Sequence, residues 1–189
     1  MKKTTLLCSI LAACFSSSVF AGSLYIGPTL LAQNTTASHS NFSGIRPRVA
    51  LGYAGTMDNY YLAAEFFVIP TTVTLSNVVN QGGVSTKTTR SYGASLLPGI
   101  MFNDKLLGYL RLGAMSSSFS SPKVMKTGYQ AGFGLQTGLT KNWDLRGEYI
   151  YTAYSSAMPN LGAPKSNELG LGVIYRFDLT PPATCEDCF

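Results

Sequence analysis

Tyr129-Gln130-Ala131-Gly132-Phe133-Gly134-Leu135-Gln136-Thr137-Gly138-Leu139-Thr140 alternates without a break. Tyr129, Ala131, Phe133, Leu135, Thr137 and Leu139 fall on one side, and Gln130, Gly132, Gly134, Gln136, Gly138 and Thr140 on the other. Successive side chains of a strand point to opposite faces, so this stretch predicts a strand with one oily face and one small-or-polar face. Lys141-Asn142 then turns the chain into a second alternating run. There Trp143, Leu145, Gly147, Tyr149 and Tyr151 stand opposite Asp144, Arg146, Glu148, Ile150 and Thr152.

The same rhythm recurs in about eight stretches of nine to eleven residues. Leu24, Ile26, Pro28, Leu30 and Ala32 share a face in the first, and Ile45, Pro47, Val49, Leu51 and Tyr53 in the second. A one-residue slip of the second would put Arg46 and Arg48 on the oily side, so their charge sets the assignment. Tyr60 to Val68, Tyr92 to Phe102, Leu106 to Met115 and Leu169 to Phe177 continue the series. Nothing helical is left over to cover so many oily faces. The expected fold is therefore all-β: a closed antiparallel eight-stranded transmembrane β-barrel of up-and-down topology, oily side toward lipid. Long polar connectors follow odd-numbered strands (34–44, 71–89, 116–127 and 155–166) and short turns follow even-numbered ones. That alternation predicts four long loops outside the cell and both termini in the periplasm.

Composition agrees. Only 12% of the 189 residues are charged, 12% are aromatic, and 19 are glycine. The formal net charge of +5 falls to about +3 if Lys2 and Lys3 leave with a leader, and the other lysines are scattered, which excludes a nucleic-acid footprint. Residues 1–21 read as a signal peptide: Lys2-Lys3, an apolar core, then Ser16 to Ala21 with Val19 and Ala21 at the small-residue cleavage positions. An alternative is lipidation at Cys14, since Leu11-Ala12-Ala13-Cys14 resembles a lipobox. Residues 22–177 are expected to be the barrel and 178–189 a short periplasmic tail. Export to an oxidising compartment favours a disulfide between Cys185 and Cys188. The tail is too short for a peptidoglycan-binding domain, and no cofactor or metal-ligand cluster is read from the chain.

Arg46, Arg48, Glu65, Arg111, Arg146, Glu148, Glu168 and Arg176 all fall on the inward face. Eight strands enclose a space that side chains just fill. Buried charge persists only when paired, so an ion-pair layer is expected from Arg48, Glu65, Arg111 and Glu148, with Arg146 below and Arg176 also inward. Counted from a turn over Gly55 to Asn59, Arg48 and Glu65 should lie almost opposite each other. Such a layer reads as a structural plug; the rival reading is a gated ion path.

Leu139 to Tyr151 resembles the penultimate hairpin of opacity-type and outer-membrane-protein-A-type barrels, and Asn167 to Phe177 resembles their closing strand. The resemblance spans Ser23 to Phe177. It implies a Gram-negative outer-membrane barrel, in contact with outer-membrane lipid and lipopolysaccharide. It also implies insertion by the barrel-assembly machinery, with Tyr175 and Phe177 as the assembly signal. The role expected is structural or surface contact, with a host or surface ligand held by the long loops. Phe42, Val78, Val79, Met125, Met158 and Leu161 are loop apolar residues available for it. Two alternatives are a small porin-like pore and a lipid A-modifying enzyme. The second is disfavoured because the deacylase family places its His and Ser on late strands, whereas His39, the single histidine, sits between Ser38 and Ser40 in the first loop.

Overall fold

In the computed structural model the described residues are 21–37, 40–70, 73–77, 86–120, 123–154 and 165–177. They form strands β1 (Ala21–Ala37), β2 (Ser40–Met57), β3 (Tyr60–Ile69), β4 (Val73–Asn77), β5 (Thr86–Asn103), β6 (Leu106–Ser120), β7 (Lys123–Gly138), β8 (Trp143–Tyr154) and β9 (Lys165–Phe177). Strands pair antiparallel in chain order except that β3 pairs with β5, and β1 pairs with β9 from Leu24↔Phe177 to Thr36↔Lys165, which closes the sheet into a barrel. The short β4 continues the line of β3 and bridges β2 and β5 above it, so the wall has eight staves. Closure leaves no edge strand with unpaired backbone groups, as a wall in hydrocarbon requires.

The strands are staggered. A row of paired residues leaves β1 at Leu24 and passes Tyr53, Ala64, Leu96, Leu112, Ala131, Tyr151 and Asn167. It returns to β1 at Asn34, and this offset tilts every strand against the barrel axis. All members of that row face outward. The row beside it, through Tyr25, Gly52, Glu65, Ser95, Gly113, Gln130, Thr152 and Ser166, faces inward.

The faces follow the alternation of the sequence. β3 alternates exposed and buried over its whole length, with Phe66 out and Glu65 and Phe67 in. Leu30, Ile45, Phe133, Leu169 and Leu171 are each at least 60% exposed, which only a lipid surround makes favourable. Tyr60, Phe102, Trp143, Tyr175 and Phe177 ring the tight-turn end, and Tyr92, Tyr129 and Tyr151 lie toward the other. In the first ring Tyr175 stacks edge-on against both Trp143 and Phe177, each at 5.0 Å.

Three expectations change. Strand lengths run from 10 residues in β3 to 18 in β2 and β5, apart from β4, where nine to eleven were expected. The stretches read as loops at 34–44 and 116–127 are largely strand, and β4 with the start of β5 lies within the one read at 71–89. Hairpin pairing needs no oily face once the chain is in water, so the strands run on where the alternation of the sequence has vanished. The turn after β2 is also shorter. Met57 pairs with Tyr60, leaving Asp58-Asn59 as a two-residue connection, with Asp58 in the left-handed region at φ 53°. At the next turn Asn103 Oδ1 accepts from the backbone N–H of Lys105 at 2.9 Å and of Leu106 at 2.7 Å.

Residues 1–20 and 178–189 lie outside the described residues, and with them most of the leader, Cys14, Cys185 and Cys188. The same holds for His39, Val78, Val79, Met158 and Leu161. Met125 is on β7 and exposed, while Phe42 is a β2 residue whose side chain is not described.

Candidate functional site: the charged interior

Arg48, Arg111, Arg146, Glu65 and Glu148 meet in the middle of the barrel, each fully or almost fully buried. Arg111 Nη2 donates to Glu65 Oε1 at 2.6 Å, and its Nε to Glu148 Oε2 at 3.0 Å. Arg146 Nη1 donates to Glu65 Oε2 at 2.6 Å, and Arg48 Nη2 bonds Glu148 Oε1. Each glutamate is thus shared by two guanidiniums. Three further donors have neutral partners: Arg111 Nη1 donates to Ser95 Oγ at 3.1 Å, and Arg146 Nε and Nη2 to Gln136 Oε1 at 3.0 and 2.8 Å. Charge-assisted bonds of this kind are what makes buried ions tolerable.

Two tyrosines complete the layer. Tyr25 Oη donates to Glu65 Oε2 at 3.0 Å and Tyr109 Oη to Glu148 Oε2 at 3.2 Å. Both rings also flank Arg146, whose Cζ lies 5.3 Å from each centroid. They reach this place by lying over inward glycines. A Cβ on Gly52 would sit 2.3 Å from Tyr25 Cζ, and one on Gly134 would sit 2.4 Å from Tyr109 Cζ. Gly52→Val should therefore expel the Tyr25 ring and lose its bond to Glu65, costing about 1–3 kcal/mol as core overpacking does. Gly147→Ala, whose Cβ meets nothing within 4 Å, should be close to neutral. Urea unfolding in detergent would compare the two; equal midpoints would remove the glycine–tyrosine argument.

The register corrects one pairing. Glu65 lies opposite Gly52 on β2, while Arg48 lies opposite Thr29 on β1. Arg48 therefore reaches across the lumen to Glu148 and not to its neighbour strand's Glu65. The turn at Asp58-Asn59 shifts the β2–β3 ladder relative to a turn centred within 55–59, and the stagger does the rest. Arg176 stands apart from the layer. It binds Asp144 Oδ1 at 3.0 Å at the tight-turn mouth, and its side chain is 41% exposed. Gln136 links the two levels: its Nε2 donates to Asp144 Oδ2 at 2.7 Å while its Oε1 accepts from Arg146. Asp144, Gln136, Ser95, Tyr25 and Tyr109 were not among the expected members. Their inward parity was readable, but which of the inward residues meet depends on the stagger. A second pair, Arg46 Nη2 to Glu168 Oε1 at 2.9 Å, lies nearer the long-loop end and is separate from the layer.

Apolar packing seals the layer on both sides. Toward the tight turns lie Tyr25, Tyr61, Leu97, Leu107, Tyr109 and Ile174. Toward the loops lie Leu31, Ala50, Phe67, Ile69 and Met115, with Phe67 5.7 Å from Arg48 Cζ. A cavity of about 300 Å³ opens at the tight-turn mouth between Tyr61, Leu107, Gln136, Asp144 and Arg176. Among the described residues no group of three or more His, Cys, Asp or Glu is placed to hold a metal.

Known proteins share this architecture. The structure is similar to Neisserial surface protein A (NspA), with 20% identity, a TM-score of 0.58, and coverage of 83% of this chain and 99% of that one. It is also similar to Ail, the attachment invasion locus protein of Yersinia pestis, solved in complex with the heparin analogue sucrose octasulfate. There the identity is 19%, the TM-score 0.58, and the coverage 82% of this chain and 99% of that one. At these identities the likeness concerns the fold. No curated protein matches the sequence. The family described as the outer membrane protein beta-barrel domain matches residues 6–177, nearly the whole chain and all of the barrel. An oily exterior, a charged interior and that match lead to one conclusion: the chain belongs to the outer membrane protein beta-barrel domain family, and its place is the bacterial outer membrane.

Proposed function

We propose that this barrel is a non-conducting scaffold whose work is surface contact through its long-loop end. The observation that carries the reading is the filled interior. Four buried arginines and three buried glutamates, closed in by apolar packing on both sides, leave no wide aqueous path for a solute. The long-loop ends of the strands then become the part free to act. Arg90 on β5 and Lys165 on β9 are exposed there, and Met125 adds an exposed apolar side chain. Basic and apolar residues together suit a polyanionic ligand, and Ail was solved with one such molecule. The termini would sit in the periplasm and the loops outside, in contact with lipopolysaccharide. Tyr175 and Phe177, outward on the closing stave, would be read by the barrel-assembly machinery during insertion. We do not assign an enzymatic role, because each carboxylate of the interior layer is already engaged by arginine.

Purified protein in planar bilayers should show no discrete channels, and whole cells should lose binding of a labelled sulfated polysaccharide when the loop ends are trimmed. Steady conductance steps would replace this reading with a small pore. An altered lipid A acyl pattern between cells with and without the gene would replace it with an enzyme.

A further inference from the structure

The buried charges do not balance. Arg46, Arg48, Arg111 and Arg146 face Glu65, Glu148 and Glu168, while Asp144 is committed to Arg176 at the mouth. Five arginines thus stand against four carboxylates among the described inward residues of the central barrel and its tight-turn mouth. A guanidinium does not shed its proton in a protein, so the surplus positive charge cannot be relieved by titration. Left alone in a low-dielectric interior it is costly.

The unmet hydrogen bonds gather in one place. Among the described residues eight buried side-chain atoms lack a partner; Gln130 Oε1 is on β7 and Arg176 Nε is at the tight-turn mouth, and the other six sit together on the adjoining strands β9, β1 and β2. These are Arg46 Nε and Nη1, Arg48 Nε, Thr29 Oγ1, Gln33 Oε1 and Glu168 Oε2. Four of the six can donate: the three guanidinium nitrogens and the threonine hydroxyl. Arg46 and Arg48 are two apart on one strand, so both project from the same face, and Thr29 is the paired neighbour of Arg48. Water alone would satisfy the hydrogen bonds and leave the charge.

We infer that the barrel interior holds one small monovalent anion of halide type, bound between Arg46 and Arg48 on the loop side of the ion-pair layer. The geometry assigns its donors to Arg46 Nε and Nη1, Arg48 Nε and the Thr29 hydroxyl. Gln33 Oε1 and Glu168 Oε2 accept from a water shared with the anion. The ligand is monovalent because the surplus is a single charge. It is small because Leu31 and Phe67, both fully buried, pack the same level. The anion would be a structural counter-ion, independent of any ligand at the loops.

The full barrel, purified in detergent and crystallised from sodium bromide, tests this by anomalous scattering. A bromide peak within hydrogen-bonding distance of Arg46 and Arg48 is the expected result. In solution the midpoint of thermal unfolding should rise saturably with bromide, by a few degrees over sodium gluconate at equal ionic strength. Arg46→Gln removes the surplus charge and should abolish that difference. Should Arg46→Gln fail to fold, the scattering experiment on the unaltered chain still decides. Water alone at Arg46 and Arg48, bromide confined to the outer surface, or identical midpoints in the two salts would overturn the assignment.

Discussion

Glu65→Ala should destabilise the barrel by about 3–5 kcal/mol, the cost of leaving buried charge without its partner. Glu65 holds Arg111 at 2.6 Å and Arg146 at 2.6 Å and accepts from Tyr25 at 3.0 Å. Its removal leaves two guanidiniums in the lumen with Glu148 as the nearest remaining counter-charge. The readout is the temperature at which the compact, detergent-resistant band on a gel converts to the extended one. That temperature should fall sharply for Glu65→Ala and also for Glu65→Gln, which keeps the shape and loses the charge. Asp144→Asn is the contrast. Its partner Arg176 is 41% exposed and can turn to water, so the loss should be about 0–1 kcal/mol. Unchanged heat resistance in Glu65→Ala would mean the layer does not hold the barrel together.

Leu112→Arg should cost about 2–4 kcal/mol, because it places a cation on the lipid face near mid-membrane. Leu112 is 55% exposed and lies between Leu96 and Ala131 in the outward row. Met125→Arg, at an equally exposed position but at the loop end of β7, should cost almost nothing. Urea titration in lipid vesicles distinguishes them. Equal stabilities would contradict a lipid-facing exterior around Leu112, since exposure to water would make both substitutions harmless.

Outside the short β4 and the polar hairpin extensions, both faces of each strand were legible because parity is local. Side chains alternate by backbone geometry, so Arg46 and Arg48 on one side and Ile45, Pro47 and Val49 on the other could be assigned without knowing any neighbour. The penultimate hairpin, Leu139 to Tyr151, and the closing strand, Asn167 to Phe177, pointed to the family for the same reason: each is contiguous in the chain. The polar hairpin extensions were not legible. Thr86 to Thr89, Ser116 to Ser120 and Lys123 to Thr127 have no oily face to mark them as strand, and their ladders form only because the strands below are already paired.

The interior divides along the same line. That Glu65, Arg111, Arg146 and Glu148 point into the lumen was written in the sequence. Which of them touch was decided by stagger and by the space across the barrel. Arg48 meets Glu148, far away in the chain, because the offset of the closed sheet raises one stave against the next. Tyr25 and Tyr109 reach the carboxylates because Gly52 and Gly134 leave room beneath their rings. Alternation by itself determined a closed, lipid-facing wall with charge inside, since two-residue periodicity is a property of each strand alone. Only the tertiary structure decided the partners, because contact across a lumen depends on how all eight staves are set against one another.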